Sequence, residues 1–329
     1  MKAVVYKKYG SPDVLQVKEV EKPIPKDNEV LLKVHAAEVT KADCEMRSFN
    51  FQVKWFWLPL RVVLGIIKPK RQVLGGYFAG EVESVGKEVS KFKKGDQVFG
   101  TTQLRLGAYG EYVCLPATYT LVPKPSNVSF EEAAAVPLGG LNALHFMRKA
   151  NIQNGEKVLI NGAGGSIGTF GLQIAKAMGA EVTAVDSTIK EEMLRRIGAD
   201  HFFDYTKEDF TKSGQTYDVI FSMVANTSYS KCVKALNPKG RYVMANPHIS
   251  DMLRSVLTSK FTDKTAIFVF AGEKEEELLA LKEMIEEGKI KSIVDRVYSF
   301  EQAAEAHRRV ETEQRLGTVV ISAEHNNQS

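Results

Sequence analysis

The sequence predicts an α/β protein: a doubly wound parallel sheet joined to a second, β-rich domain. Three observations carry this. A glycine cluster ends a short aliphatic run in Lys157-Val158-Leu159-Ile160-Asn161-Gly162-Ala163-Gly164-Gly165-Ser166-Ile167-Gly168. Strand and helix patterns alternate from about residue 138 to 270, whereas residues 1–123 show only short alternating runs punctuated by Pro, Gly, Asn and Asp. And 329 residues suit two domains better than one.

The glycine cluster is the centre of the pattern. Ile167, Phe170, Gly171, Ile174, Ala175 and Met178 follow it at helical spacing, and Gly179 stands where a helix-stopping glycine belongs. Strand, glycine turn and helix in that order present backbone N–H groups and a positive helix end to a phosphate. A second aliphatic run, Glu181 to Val185, ends in Asp186, 18 residues beyond Gly168. An acid at that place accepts hydrogen bonds from an adenosine ribose, which makes the segment a dinucleotide-binding fingerprint. The spacing is G-x-x-G-x-x-G (Gly162, Gly165, Gly168) rather than G-x-G-x-x-G.

Taken in order, the chain opens with expected strands at Ala3–Tyr6, Val30–His35, Gly80–Val85 and Tyr112–Leu115. Pro123 and Pro125 mark a change of texture. A helix is expected from about Leu138 to Ala150, then strand 157–161, helix 167–178, strand 181–186, helix 190–197 and strand 201–204. Strand 217–221, a helix near 229–236 and strands 240–245 and 265–270 complete six strands, which implies a parallel sheet with helices on both faces. A capped helix from Glu275 to Glu287, a strand, a helix from Glu301 to about Glu313 and a strand at Thr318–Ile321 form a tail expected to return to the first domain. The expected division is 1–123 with 273–329, and 124–272.

Composition narrows the class. Hydrophobic content of 44% and charged content of 26% are those of a globular protein with ample core. A net charge of +4 gives no footprint for nucleic acid. Cys44, Cys114 and Cys232 lie far apart without a C-x-x-C pair, so neither a disulfide framework nor a cysteine-rich zinc lobe is expected. The opening Met1-Lys2-Ala3-Val4-Val5-Tyr6 reads as a strand and not as a signal peptide, so the expected location is cytoplasmic. From Ser48 to Gln72 the chain has no acidic residue and holds both tryptophans, Trp55 and Trp57. Three readings of this stretch stay open: a core helix, an apolar wall or lid over a substrate pocket, and a membrane-surface segment with a basic fringe. Its apolar part is too short to span a bilayer, which takes about 20 residues, and membrane contact is not expected.

These motifs resemble those of the medium-chain dehydrogenase/reductase superfamily, in its zinc-independent quinone oxidoreductase-like branch. The resemblance rests on Gly80-Glu81-Val82-Glu83-Ser84-Val85-Gly86, Phe92 to Gly100, Gly107 to Tyr112, Glu132 to Pro137, the glycine loop with Gln173 to Lys176, and Leu194 to Tyr205. It implies a GroES-like barrel and a C-terminal tail that together make the catalytic domain, a Rossmann domain between them, and a homodimer. Zinc-dependent relatives carry a cysteine ligand where Thr40 stands, three residues before Asp43, and a Gly-His-Glu motif that matches Gly75-Gly76-Tyr77 here. The cysteine and histidine are gone, so no zinc is expected.

Without a metal, hydride transfer needs an electrophilic acceptor or a hydrogen-bond donor for the developing oxyanion. Thr40, Asp43 and Tyr77 are the candidate catalytic residues, Asp43 acting from behind the other two. The resemblance gives Lys41 to the cofactor pyrophosphate and places Val224, Phe268, Phe270 and Leu316 along the cofactor. Gly162, Gly165, Ser166, Ile167, Gly168, Asp186, Ser187, Lys190 and Tyr205 complete the cofactor set, with Trp55 and Trp57 facing an apolar substrate. Asp186 favours NAD(H), because a carboxylate repels a 2′-phosphate; Ser187 and Lys190 sit at the spacing used for NADP(H). The expected activity is NAD(P)H-dependent reduction of a quinone or an α,β-unsaturated carbonyl. An alcohol or aldehyde dehydrogenase, and a non-catalytic dinucleotide-binding protein with a membrane or partner docking surface, stand as alternatives.

Overall fold

The computed structural model describes residues 1–51, 61, 62, 64–225, 227–268 and 271–323. The positions of Trp55, Trp57 and Phe270 lie outside the described residues. The chain divides into two compact units, one of residues 1–137, 273–286 and 292–329, the other of residues 138–272 and 287–291.

In the first unit the strands are β1 (Lys2–Val5), β2 (Gln16–Glu19), β3 (Glu29–Val39), β4 (Tyr77–Val85), β5 (Gln97–Thr101), β6 (Tyr112–Pro116) and β7 (Leu121–Pro123). The other unit supplies β8 (Lys157–Asn161), β9 (Glu181–Asp186), β10 (His201–Asp204), β11 (Tyr217–Ser222), β12 (Leu236–Met244) and β13 (Thr265–Phe268). The tail adds β14 (Val294–Ser299) and β15 (Thr318–Ser322). A seven-stranded sheet runs β14-β15-β3-β4-β5-β7, with β6 paired to β3. Because β15 pairs antiparallel with β3, the end of the chain completes the sheet begun by its first hundred residues. Alternate residues of these strands (Leu32, Val34, Phe78, Val82, Val98, Val319, Ile321) are buried in one apolar core. The Phe130–Ala134 helix also packs on β3 and β4, which carries this unit to Pro137, past the proline signals at 123 and 125.

The second unit is a six-stranded sheet in the order β10-β9-β8-β11-β12-β13, parallel throughout. Strand β8 lies inside it, and Val158, Leu159 and Ile160 are fully buried, which is why the sequence reads as a continuous aliphatic run instead of an alternating one. From β8 the chain steps outward through β9 and β10, then returns to the other side of β8 for β11. That reversal is the topological switch point, where open α/β sheets bind ligands beyond the carboxyl ends of their strands.

Three described α-helices fall outside the expected elements, Lys41–Ser48, Phe130–Ala134 and Ile249–Phe261. Ile249–Phe261 is helical, with His248 at the N-cap position, and fills the interval between β12 and β13. Its apolar residues Ile249, Leu253, Val256, Leu257 and Phe261 recur at helical spacing, so the sequence carries the signal, yet all five are exposed. The Lys41–Ser48 helix is short, and its buried face is made of Asp43, Cys44 and Arg47 instead of an aliphatic stripe.

Candidate functional site

In the second unit, the turn after β8 is built by glycines with separable jobs. Gly162 has φ +89°, a left-handed conformation that L side chains adopt only with strain. A Cβ at Gly168 would lie 2.3 Å from the Gly162 carbonyl oxygen, so this glycine lets the helix start press against the turn. Gly165 is the N-cap of the Ser166–Ala177 helix, and a Cβ there would meet nothing nearer than 3.8 Å. Its open face leaves the first N–H groups of a 12-residue helix accessible to an anion. Ser166 is buried in the first turn and Ile167 is partly exposed beside it.

Gly164, which the spacing rule passes over, makes the decisive contact. Its N–H donates to Asp186 Oδ2 at 2.7 Å. The Asp186 carboxylate also accepts from the Ser187 N–H at 2.8 Å and pairs with Lys190 Nζ at 3.0 Å. Both side chains are only 7% exposed. A Cβ at Gly164 would collide with the Lys190 stem at 2.3 Å and approach Asp186 Oδ2 at 3.0 Å. Asp186 thus ties the glycine turn to the end of β9, and its charge is met by a cation. Past β10, Tyr205 is 61% exposed and donates its N–H to the Asp186 carbonyl at 3.2 Å. Lys207 reaches the Thr188 hydroxyl at 3.0 Å and Asp204 at 3.2 Å. Hydroxyl donors on Thr188 and Thr206 hold the Asp204 carboxyl well below its usual range.

At the switch point Asn161 and Ser222, the last residues of β8 and β11, are register neighbours. Asn161 Nδ2 donates to Ser222 Oγ at 3.1 Å and to Thr227 Oγ1 at 2.8 Å. The Met223 N–H donates to the Asn161 carbonyl at 3.1 Å, so Met223 and Val224 flank Gly162. Val224 is 46% exposed, and Phe268 ends β13 opposite Met244. The Asn161–Ser222–Thr227 network is absent from the expected site; polar residues at the strand ends of the switch point are its signal in the sequence.

In the first unit, Thr40 and Asp43 form a capping box at the start of the Lys41–Ser48 helix. The Thr40 hydroxyl donates to Asp43 Oδ2 at 2.6 Å and accepts from the Asp43 N–H at 3.0 Å. Asp43 Oδ1 accepts from the Gly75 N–H at 3.1 Å, which fastens the helix start to the approach of β4. Burial pushes the Asp43 carboxyl above its ordinary value, against the pull of its Thr40 and Gly75 donors. The Thr40 hydroxyl proton is thus directed to Asp43, and the two side chains cap the helix and fasten its start. Lys41 is exposed and pairs with Glu313. Leu316 is partly exposed and precedes Gly317, whose close approach to Ile293 fixes the turn into β15. Tyr77 opens β4, partly exposed, and its phenol meets the carboxylate of Glu273.

Whether a metal fits here is a question of donors. Among the described residues no three His, Cys, Asp or Glu side chains are grouped to hold an ion. The Cys44 thiol faces His307 Nδ1 at 3.3 Å in the core, and burial drives its pKa up. His307 is fully buried and its pKa falls to about 3 by desolvation, with the Arg47 charge adding to the shift. This pair is inward-facing packing, not a ligand set. Among the described residues no helix is long and apolar enough to cross a membrane.

A phosphate-ready turn at the switch point of a parallel sheet stands where such sheets bind a dinucleotide. Two families match by profile: "Alcohol dehydrogenase GroES-like domain" over residues 26–126 and "Zinc-binding dehydrogenase" over residues 197–321. A quinone oxidoreductase of Sus scrofa is 32% identical over 94% of this chain and 94% of its own. An NADPH-dependent alkenal/one oxidoreductase, chloroplastic, of Arabidopsis thaliana is 31% identical over 98% of this chain and 79% of its own. The solved quinone oxidoreductase of Coxiella burnetii superposes with TM-score 0.86 at 28% identity, covering 98% of this chain and 99% of that one. The chain belongs to the medium-chain dehydrogenase/reductase superfamily, in the quinone oxidoreductase-like group, and is an oxidoreductase.

Proposed function

We propose that this protein reduces quinones or α,β-unsaturated carbonyls with a nicotinamide dinucleotide and without zinc. The observation that carries the reading is the glycine turn closed onto Asp186, together with a Thr40 hydroxyl locked in a helix cap where zinc-using relatives place a thiolate. A bound nicotinamide supplies the hydride; an acceptor with a conjugated carbonyl needs no Lewis acid to receive it. Of the candidate catalytic groups, Tyr77, whose phenol meets Glu273, is the one this reading assigns to a substrate oxygen. The test is turnover of a para-quinone and of an alkenal by protein stripped with a chelator, with metal content measured alongside. Undiminished turnover supports the reading; activity restored only by zinc sinks it.

The geometry favours NADP(H) over NAD(H). The charge argument for NAD(H) treats Asp186 as a carboxylate facing the ribose, but its oxygens serve Gly164, Ser187 and Lys190. With Asp186 neutralised by Lys190 its carboxylate no longer repels a 2′-phosphate, and Ser187, Tyr205 and the exposed Lys207 offer that phosphate donors, a preference also borne by the name of the Arabidopsis relative. Fluorescence titrations of NADH and NADPH against wild type, Asp186→Ala and Lys190→Met check this. Lys190→Met is expected to weaken NADPH about tenfold more than NADH. Asp186→Ala is expected to weaken both alike, because it frees the turn; loss confined to NADH restores Asp186 to the ribose.

A homodimer through the Ile249–Phe261 helix and the free edge of β13 is the assembly this reading takes. Leu253 and Phe261 are 67% and 72% exposed, and β13 ends the described sheet on that side. Sedimentation of Leu253→Asp is expected to show a shift from dimer to monomer.

A further inference from the structure

Tyr77 and Glu273 lie about two hundred residues apart in sequence, yet the first unit holds them together. Thr101 is the cross-strand partner of Tyr77 in the β4–β5 ladder. Its hydroxyl donates to Glu273 Oε2 at 2.6 Å, and the Thr120 hydroxyl donates to the Glu273 backbone carbonyl at 2.5 Å. Both threonines are buried. Thr101 thus holds the Glu273 side chain and Thr120 its backbone, which sets the carboxyl group beside the Tyr77 phenol although residue 273 belongs to no strand or helix itself.

We propose that Glu273 is a positioning residue and proton source for Tyr77, and that the pair returns the proton that follows hydride in the reduction proposed above. After hydride reaches the acceptor, an enolate or a hydroquinone monoanion carries one extra electron pair and needs one proton. Tyr77 gives its phenolic proton to that oxygen or carbon, breaking its O–H bond as the new bond to hydrogen forms. The Glu273 carboxyl passes its own proton to the phenolate oxygen, leaves as carboxylate, and is reprotonated by water. Charge and atoms balance without a further reagent. The surroundings favour such a relay. Burial raises both Glu273 and Tyr77, so each keeps its proton until an anion forms beside it. Thr101 and Tyr77 are the polar side chains that face Glu273.

Three measurements test this. In pH profiles of wild type, kcat is expected to fall as pH rises through the Glu273 titration, because the acid form is lost. Glu273→Gln is expected to lower kcat about tenfold with KM little changed and to remove that limb. Tyr77→Phe is expected to lose at least as much, with the double variant no worse, since the two act in series. Multiplying effects, or an unchanged pH limb in Glu273→Gln, overturn the proposal. The third readout needs no substrate: the infrared carbonyl band of the Glu273 acid, isolated by wild-type minus Glu273→Gln difference, is expected to shift on Tyr77→Phe. An unshifted band overturns the pair even if the protein proves to reduce neither quinones nor enones, a result that would sink the function reading separately.

Discussion

Two buried aspartates do similar work in the two units and differ in one respect. Asp186 accepts from the Gly164 N–H and faces the Lys190 ammonium; Asp43 accepts from the Gly75 N–H and faces only neutral donors. Each staples a glycine-bearing segment to a secondary-structure end. Only the first has its charge balanced. The cost of the second is a carboxyl pushed upward by burial. The difference teaches that an aspartate in a motif is not yet a ligand: what it does depends on who already occupies its oxygens.

The largest effect should come from cutting the unbalanced staple. Asp43→Ala leaves the Gly75 and Thr40 N–H groups buried without an acceptor and removes the helix cap, a loss of about 3 kcal/mol measurable by urea unfolding. If the cost is under about 1 kcal/mol, the staple is decorative and the comparison fails. In the other unit, Gly168→Ala forces a methyl against two carbonyls and is expected to cost about 1–3 kcal/mol, with nucleotide binding lost in parallel. Gly165→Ala sharpens the point. It should cost less than about 1 kcal/mol of stability, yet crowd the phosphate and weaken binding.

Within the first unit two buried groups respond to pH in opposite directions. Asp43 has a folded pKa above its unfolded value, so its contribution is greatest in acid and falls as pH rises from the ordinary carboxylate value through the folded one. His307 runs the other way. With a folded pKa of about 3 it stays neutral while the unfolded chain charges, so stability falls as pH drops below about 6.5, on the order of 1.4 kcal/mol per pH unit. Unfolding midpoints of His307→Gln across pH 4 to 7 are expected to lose that acid limb whatever their absolute level.

Much of this architecture is local and therefore legible in the sequence. The strand ends at Asn161, Asp186 and Asp204, the helix after the glycine turn and the alternation behind the parallel sheet all follow from periods of two and 3.6 residues and from glycine stereochemistry. The Ile249–Phe261 helix carries the same periodic signal but lies outside the expected alternation of elements. What the tertiary structure alone decided is which groups pair. Gly164 meets Asp186 across 22 residues, Gly75 meets Asp43 across 32, and Thr101 meets Glu273 across 172. Periodicity names the faces of a strand or helix, but a carboxylate has several lone pairs and accepts from whichever donors the packed chain brings to it. The sequence placed the acids, and the packing chose their partners.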